Sequence, residues 1–228
     1  MNPPFEILLP RDELPRRRVL FAIQLVDAVT LATVSQGVKV TAEGLNGKPI
    51  VNASGLFVWL QEEIGRLRKV TIRPGTLPYE DVERGAEQLT LPPNPRPLTI
   101  IELPPRVDYA FSPGVTGLRG TLIEERANPP TPVGNVEVRL RWLDENGAWH
   151  DAPTKSQTNK QGDLVSLLRL APTDEPGLDA NGAVTVRLKV IRDGGSERTS
   201  AAFKLPQGRV TDRSILPSLL FAWDELQP

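Results

Sequence analysis

The chain has 228 residues, no cysteine, a single histidine and a formal net charge of −1, with 24% charged and 5% aromatic residues. Zero cysteine excludes thiol catalysis, disulfide staples and cysteine-based zinc sites, and the near-neutral total provides no field to gather nucleic acid or acidic membranes. The 23 prolines and 18 glycines imply many short strands joined by turns.

In chain order, Arg17 to Asp27 is a nearly continuous β-rich run, and Gly37 to Glu43 alternates apolar and polar residues with period two. Asn46-Gly47 is a strong short-range hairpin signal. Pro49 to Gly55 leads into Leu56-Phe-Val-Trp-Leu; Lys69 to Gly75 and Leu98 to Leu103 complete the first half. Between them, Gly55 to Lys69 admits two readings. A strand followed by a polar turn is preferred. A helix is the alternative, because Phe57, Leu60, Ile64 and Leu67 fall near helical spacing.

Pro104-Pro105 reads as a stiff connector, and the second half repeats the plan of the first. Gly117 to Glu124 opens it as Val19 to Asp27 opened the first. Val136 to Trp142 matches the Val38 strand, and Glu145-Asn-Gly matches Leu45-Asn-Gly. Thr158 to Val165 matches Asn52 to Val58, and Val184 to Val190 matches Val70-Thr-Ile-Arg. Five correspondences in one order point to an internal duplication. The expected organisation is an arm over residues 1–15, β-sandwich modules over 16–104 and 105–208 that meet near Leu103 to Pro113, and a docking tail over 209–228. The fold class is all-β, two tandem Greek-key β-sandwiches with a short C-terminal helix.

A strand ending at Asp27, a Gly-x-x-Val strand from Gly37, a Gly-containing turn before the Phe57 strand, then Val70-Thr-Ile and Tyr79 together resemble the carboxypeptidase-regulatory-like, transthyretin-like (Ig-like) modules. Val115 to Ile123, Gly134-Asn-Val-Glu-Val and Thr158 to Leu164 resemble the same pattern. The resemblance covers residues 17–103 and 115–205. It implies a sandwich of about seven strands and a non-catalytic accessory, adhesive or scaffold role. The Pro-, Asp- and Gly-rich stretch from Leu168 to Gly182 departs from it.

Candidates for chemistry are few. His150 neighbours Asp151, but adjacent residues on a strand point to opposite faces, and no Gly-x-Ser-x-Gly elbow supplies a nucleophile. Glu62-Glu63, Glu80-Asp81 and Glu124-Glu125 read as solvated turn or strand-end carboxylates. Asp174, Glu175, Asp179 and Asn181 lack the residue order of a calcium loop. Arg16-Arg17-Arg18 and Arg66-Leu-Arg-Lys are basic, yet lack interleaved aromatics. Gly194-Gly195 reads as a hairpin turn. The expectation is therefore no catalytic residue, no cofactor, no metal, no nucleic acid and no membrane insertion. With neither a secretory signal nor a long apolar run, synthesis in the cytoplasm is expected.

The ends are the most apolar irregular segments. Phe5, Ile7 and Leu8 sit between prolines, while Leu216, Leu219, Leu220, Trp223 and Leu226 follow helical spacing. Such a helix is too short to persist alone, so these residues are expected to dock protein partners or further copies. Truncation after Arg213 is then expected to leave both modules folded. Two functional classes follow. The first is a structural or adaptor protein of a larger assembly, such as a phage tail, a virion or a contractile injection particle. The second is a stand-alone carbohydrate- or protein-binding module, which an exposed pair of Trp142 and Trp149 would favour.

Overall fold

The computed structural model describes residues 19–60, 67–192, 195–212, 214–216 and 219–228. Phe5, Ile7, Leu8 and the turn expected around Glu62-Glu63 lie outside them. Among the described residues there is no α-helix; all regular structure is β apart from short 3-10 turns. The chain forms two compact units. The first is built from residues 19–26, 32–75 and 81–101, the second from 27–31, 76–80 and 102–228.

The first unit contains two sheets. Strands β1 (Val19–Asp27, whose last residue belongs to the second unit), β3 (Ile50–Val51), β4 (Phe57–Leu60) and β7 (Leu98–Leu103, whose last two residues belong to the second unit) run in the order β3-β4-β1-β7. Strands β2 (Lys39–Glu43), β5 (Lys69–Arg73) and β6 (Val82–Gly85) make the other. Alternation places Val40, Val70, Ile72 and Val82 on one buried face of the smaller sheet. Phe21, Ile23, Leu25, Phe57 and Trp59 are buried on the larger one, where the Phe21 and Trp59 rings stack with centroids 4.5 Å apart. Each fully buried side chain of this size contributes about 1.5–3 kcal/mol.

In the second unit, β9 (Glu137–Leu143) lies between β10 (Trp149–Gln157) and β12 (Ala183–Ile191). The far edge of β12 is shared by β13 (Glu197–Thr199) and β14 (Phe203–Pro206). The other sheet centres on β8 (Gly117–Ile123), flanked by β11 (Asp163–Leu167) on one side. Its opposite edge is covered end to end by β15 (Val210–Thr211) and β16 (Leu220–Ala222), both parallel to β8. Val138, Leu140, Trp142, Val184, Val186, Leu188 and Val190 alternate inward and join Leu118, Leu122, Leu164 and Leu205 in one core.

Both units use the same pairing scheme. In the first, β1 pairs antiparallel with β4 and β2 with β5; in the second, β8 pairs with β11 and β9 with β12.

Two sequence expectations are corrected here. The C-terminal helix does not form: Leu220–Ala222 pair with Thr121, Leu122 and Ile123 of β8, and one 3-10 turn, Trp223–Glu225, follows. A lone ten-residue helix is marginal in water, whereas the open edge of β8 satisfies the tail's backbone directly. Close approach depends on Gly120, where an added Cβ would lie 2.8 Å from the Leu219 carbonyl oxygen. The second correction concerns Asn46-Gly47. It closes no hairpin, because β2 pairs with β5 and β3 with β4, so the turn connects two different sheets.

Candidate functional site

Four loops share one construction. Asn52, Asp144, Asn159 and Asp179 each stand three residues before a glycine with positive φ, at Gly55 (78°), Gly147 (85°), Gly162 (77°) and Gly182 (70°). In each loop the Asx side-chain oxygen accepts from two backbone N–H groups, two and four residues on, at 2.7–3.0 Å. The glycine N–H then donates to the Asx carbonyl. Left-handed φ is open to glycine at little cost, and short Asx side chains cap such turns locally. Asx-x-x-Gly is therefore the loop signature of this chain. It removes Asn52, Asp144 and Asp179 from the pool of free polar groups.

His150 is placed by one of these loops. Its Nε2 lies 2.9 Å from Asp144 Oδ2, and its ring stacks on Trp142 at 4.7 Å. That contact, with the backbone N–H groups of Ala148 and Asn146, holds the Asp144 carboxyl below its usual range. Asp151 faces away and pairs with Arg141 at 2.7 Å. Trp142 is buried in the core, and Trp149 carries the Arg187 guanidinium 4.4 Å above its ring. The two tryptophans therefore form no exposed aromatic platform.

Among the described residues, the buried charged side chain is Asp27, at the end of β1. It is 5% exposed, yet its carboxylate accepts from the N–H groups of Val29 (2.5 Å) and Thr30 (3.2 Å) and from the hydroxyls of Tyr79 (3.0 Å) and Tyr109 (2.5 Å). Burial opposes ionisation, but the Tyr109, Val29, Thr30 and Tyr79 donors outweigh it and hold the pKa below the usual carboxylate range. Burial and the carboxylate push Tyr79 up to about 12, and Tyr109 is raised as well. All three side chains belong to the second unit, where they join segments 27–31 and 76–80 to the main body. Every donor aimed at Asp27 is committed, so the cluster works as a clasp. Tyr109 carried no motif in the sequence; Tyr79 and Asp27 did.

Nearby, a cleft of about 410 Å³ is lined by Val29, residues 114–116 and residues 167–170. Arg169 is its one charged side chain, and its guanidinium donates to the carbonyls of Ala28 and Val29. The cleft thus lacks an acid–base pair. Among the described residues, no group of three or more His, Asp or Glu side chains is placed to hold a metal ion.

The expected docking residues of the tail fall mostly inside. Leu219 and Leu226 are buried in the second unit's core, and Leu216 and Trp223 pack against it; Leu220 is half-buried in β16. Trp223 lies beneath two guanidinium groups, Arg192 at 4.0 Å and Arg198 at 4.7 Å, and its carbonyl accepts from Arg198. Arg126 joins Glu225 at 2.6 Å.

Exposed apolar surface lies elsewhere, on the larger sheet of the first unit. Register places Ile50, Val58 and Ala22 in one row across β3, β4 and β1, with Leu60 opposite Val19 on the same face. On β7, Ile101 and Leu103 are buried, so alternation turns Leu98 and Ile100 outward. Ile100 is 61% exposed, Ile50 53% and Val19 47%, while the smaller Ala22 between them is buried. The same alternation turns the exposed Glu102 of β7 and the half-buried Gln24 of β1 to this side. Sheets with one solvated face ordinarily alternate apolar-in and polar-out, whereas here six of the outward positions are apolar beside Glu102 and Gln24.

No family model, no curated protein and no solved structure matches the chain. Among the described residues, no helix is long and apolar enough to cross a membrane.

Proposed function

We propose that this chain is a non-catalytic structural or adaptor protein, made of two β-sandwich modules related by duplication, that works inside a larger protein assembly. A phage tail, a virion or a contractile injection particle is an assembly of that kind. The observation that carries the reading is the apolar outer surface formed by Val19, Ile50, Val58, Leu60, Leu98 and Ile100, beside the exposed Glu102. Contiguous apolar surface of this sort costs solubility and is retained where another protein covers it.

The polar groups support the same reading. Asp27, Asp144, His150 and Arg169 are each spent on holding backbone or one another. Catalytic groups, by contrast, need a reachable atom in a cleft. An exposed Trp142–Trp149 pair would have favoured the carbohydrate- or protein-binding alternative, but Trp142 is buried and Trp149 lies under Arg187.

The test is velocity sedimentation of an extract from the native host, with the chain detected by antibody. The expected result is migration in fractions far heavier than one chain. Recovery solely at the size of a single chain would sink the proposal.

A further inference from the structure

We propose that Asn46 is a site of covalent self-modification, at which the Gly47 backbone nitrogen displaces the side-chain amide of Asn46. The proposal does not depend on the assembly reading above.

The chain contains three Asn-Gly pairs, at Asn46-Gly47, Asn146-Gly147 and Asn181-Gly182. Glycine has no side chain to hinder the approach of its own nitrogen to the preceding side-chain carbonyl. All three asparagines are exposed. Dipeptide and solvent access are therefore shared, and the pairs differ in what holds each turn.

Two of the turns are locked. Gly147 N–H donates to the Asp144 carbonyl at 3.2 Å, while the Asn146 and Ala148 N–H groups donate to the Asp144 carboxylate at 2.9 and 2.7 Å. Gly182 N–H donates to the Asp179 carbonyl at 2.9 Å, with Asn181 and Ala183 on the Asp179 carboxylate at 2.9 and 3.0 Å. The glycine nitrogen must lose its proton and swing onto the asparagine side chain, so each of these loops has to open first. The third turn is free of such ties. Among the described residues, neither Asn46 nor Gly47 makes a hydrogen bond.

The fold also tolerates the product at this turn. Because β2 pairs with β5 and β3 with β4, no strand register passes through Asn46-Gly47. An isoaspartyl link lengthens the main chain by a methylene, which would disturb a hairpin register but shifts none here.

The chemistry needs only water and a solvent base. The base takes the Gly47 N–H proton, the nitrogen bonds to the Asn46 side-chain carbonyl carbon, and ammonia leaves. Water then opens the resulting five-membered imide at either carbonyl, giving an aspartyl or an isoaspartyl product. Either way a neutral amide becomes a carboxylate, and the chain gains a negative charge.

Incubation of the purified full chain in mildly alkaline buffer, followed by peptide mapping with mass spectrometry, tests this. Conversion at Asn46 should be at least about tenfold faster than at Asn146 or Asn181, and the rates should converge in urea. Isoelectric focusing should show a more acidic form that retains native circular dichroism. Gly47→Ala should slow its appearance at least about tenfold without unfolding, since the added Cβ meets nothing within 4 Å and φ there is not left-handed. Equal rates at the three sites in the folded chain overturn the proposal, as does faster conversion at Asn146 or Asn181. So does a folded chain that stays intact at Asn46 while the urea-unfolded chain reacts there.

Discussion

The Tyr109 hydroxyl donates to the Asp27 carboxylate across 2.5 Å, joining residues 82 positions apart in the chain. Tyr79 donates to the same carboxylate oxygen, and the two rings lie 5.8 Å apart. A buried carboxylate is tolerated only while its acceptors are filled. Tyr109→Phe removes one donor and keeps the ring, so it should destabilise the second unit by about 2 kcal/mol. Urea unfolding followed by tryptophan fluorescence measures this; a change within experimental scatter would refute the clasp.

The same cluster sets a pH dependence at both ends. Asp27 titrates lower in the folded state than in the unfolded one, so its contribution is complete above the unfolded pKa, near pH 4. It is lost as pH falls through the folded value. Tyr79 and Tyr109 titrate higher when folded, so their contribution is complete below about pH 10 and is lost as pH rises through the folded values, about 12 for Tyr79. Urea midpoints should therefore drop below pH 4 and above pH 10. In Tyr109→Phe the acid-side drop should shrink, because less of the Asp27 shift remains.

Two glycines in the shared loops should answer differently to alanine. Both need positive φ, but a Cβ on Gly182 meets nothing within 4 Å, while one on Gly162 would lie 2.3 Å from the Leu122 carbonyl oxygen. Gly182→Ala should cost about 1 kcal/mol from backbone strain alone. Gly162→Ala must also displace β8 backbone and should cost about 3 kcal/mol or more. Equal melting temperatures for the two variants would show that the β8 contact does not constrain the loop.

Sequence reading succeeded on the strands. Period-two runs such as Lys39–Glu43, Glu137–Leu143 and Ala183–Ile191 are strands, because one buried face imposes that period. β1 pairs antiparallel with β4, and β8 with β11. Trp149–Gln157 escaped notice because Ala152 is its only buried residue, and pairing with β9 holds it in place. The Asp27 clasp was illegible for another reason: its donors come from three segments, and nothing local marks Tyr109 as a partner. The outer apolar face lay hidden in Val19–Asp27, whose nearly unbroken apolar run signals burial without saying which face is covered.

The tail shows most clearly how composition can be legible while conformation is not. Leu216, Leu219, Trp223 and Leu226 are apolar at helical spacing, and they are used, but by the second unit's own core. The decision between helix and strand lay a hundred residues away, in the open edge of β8 and the absence of a side chain at Gly120. Truncation after residue 213 should therefore unfold the second unit, reversing the expectation drawn from sequence. It would strip Leu219, Phe221 and Leu226 from the core and expose the backbone of Thr121 to Ile123. Loss of three such buried side chains exceeds the marginal stability of a domain, at about 2–5 kcal/mol each. Trp223→Ala is the milder probe, since the ring is only half-buried beneath Arg192 and Arg198. It should cost about 2 kcal/mol, read as a lower urea midpoint. A truncated chain with native circular dichroism and a cooperative unfolding transition would return the tail to the role of a partner-docking arm.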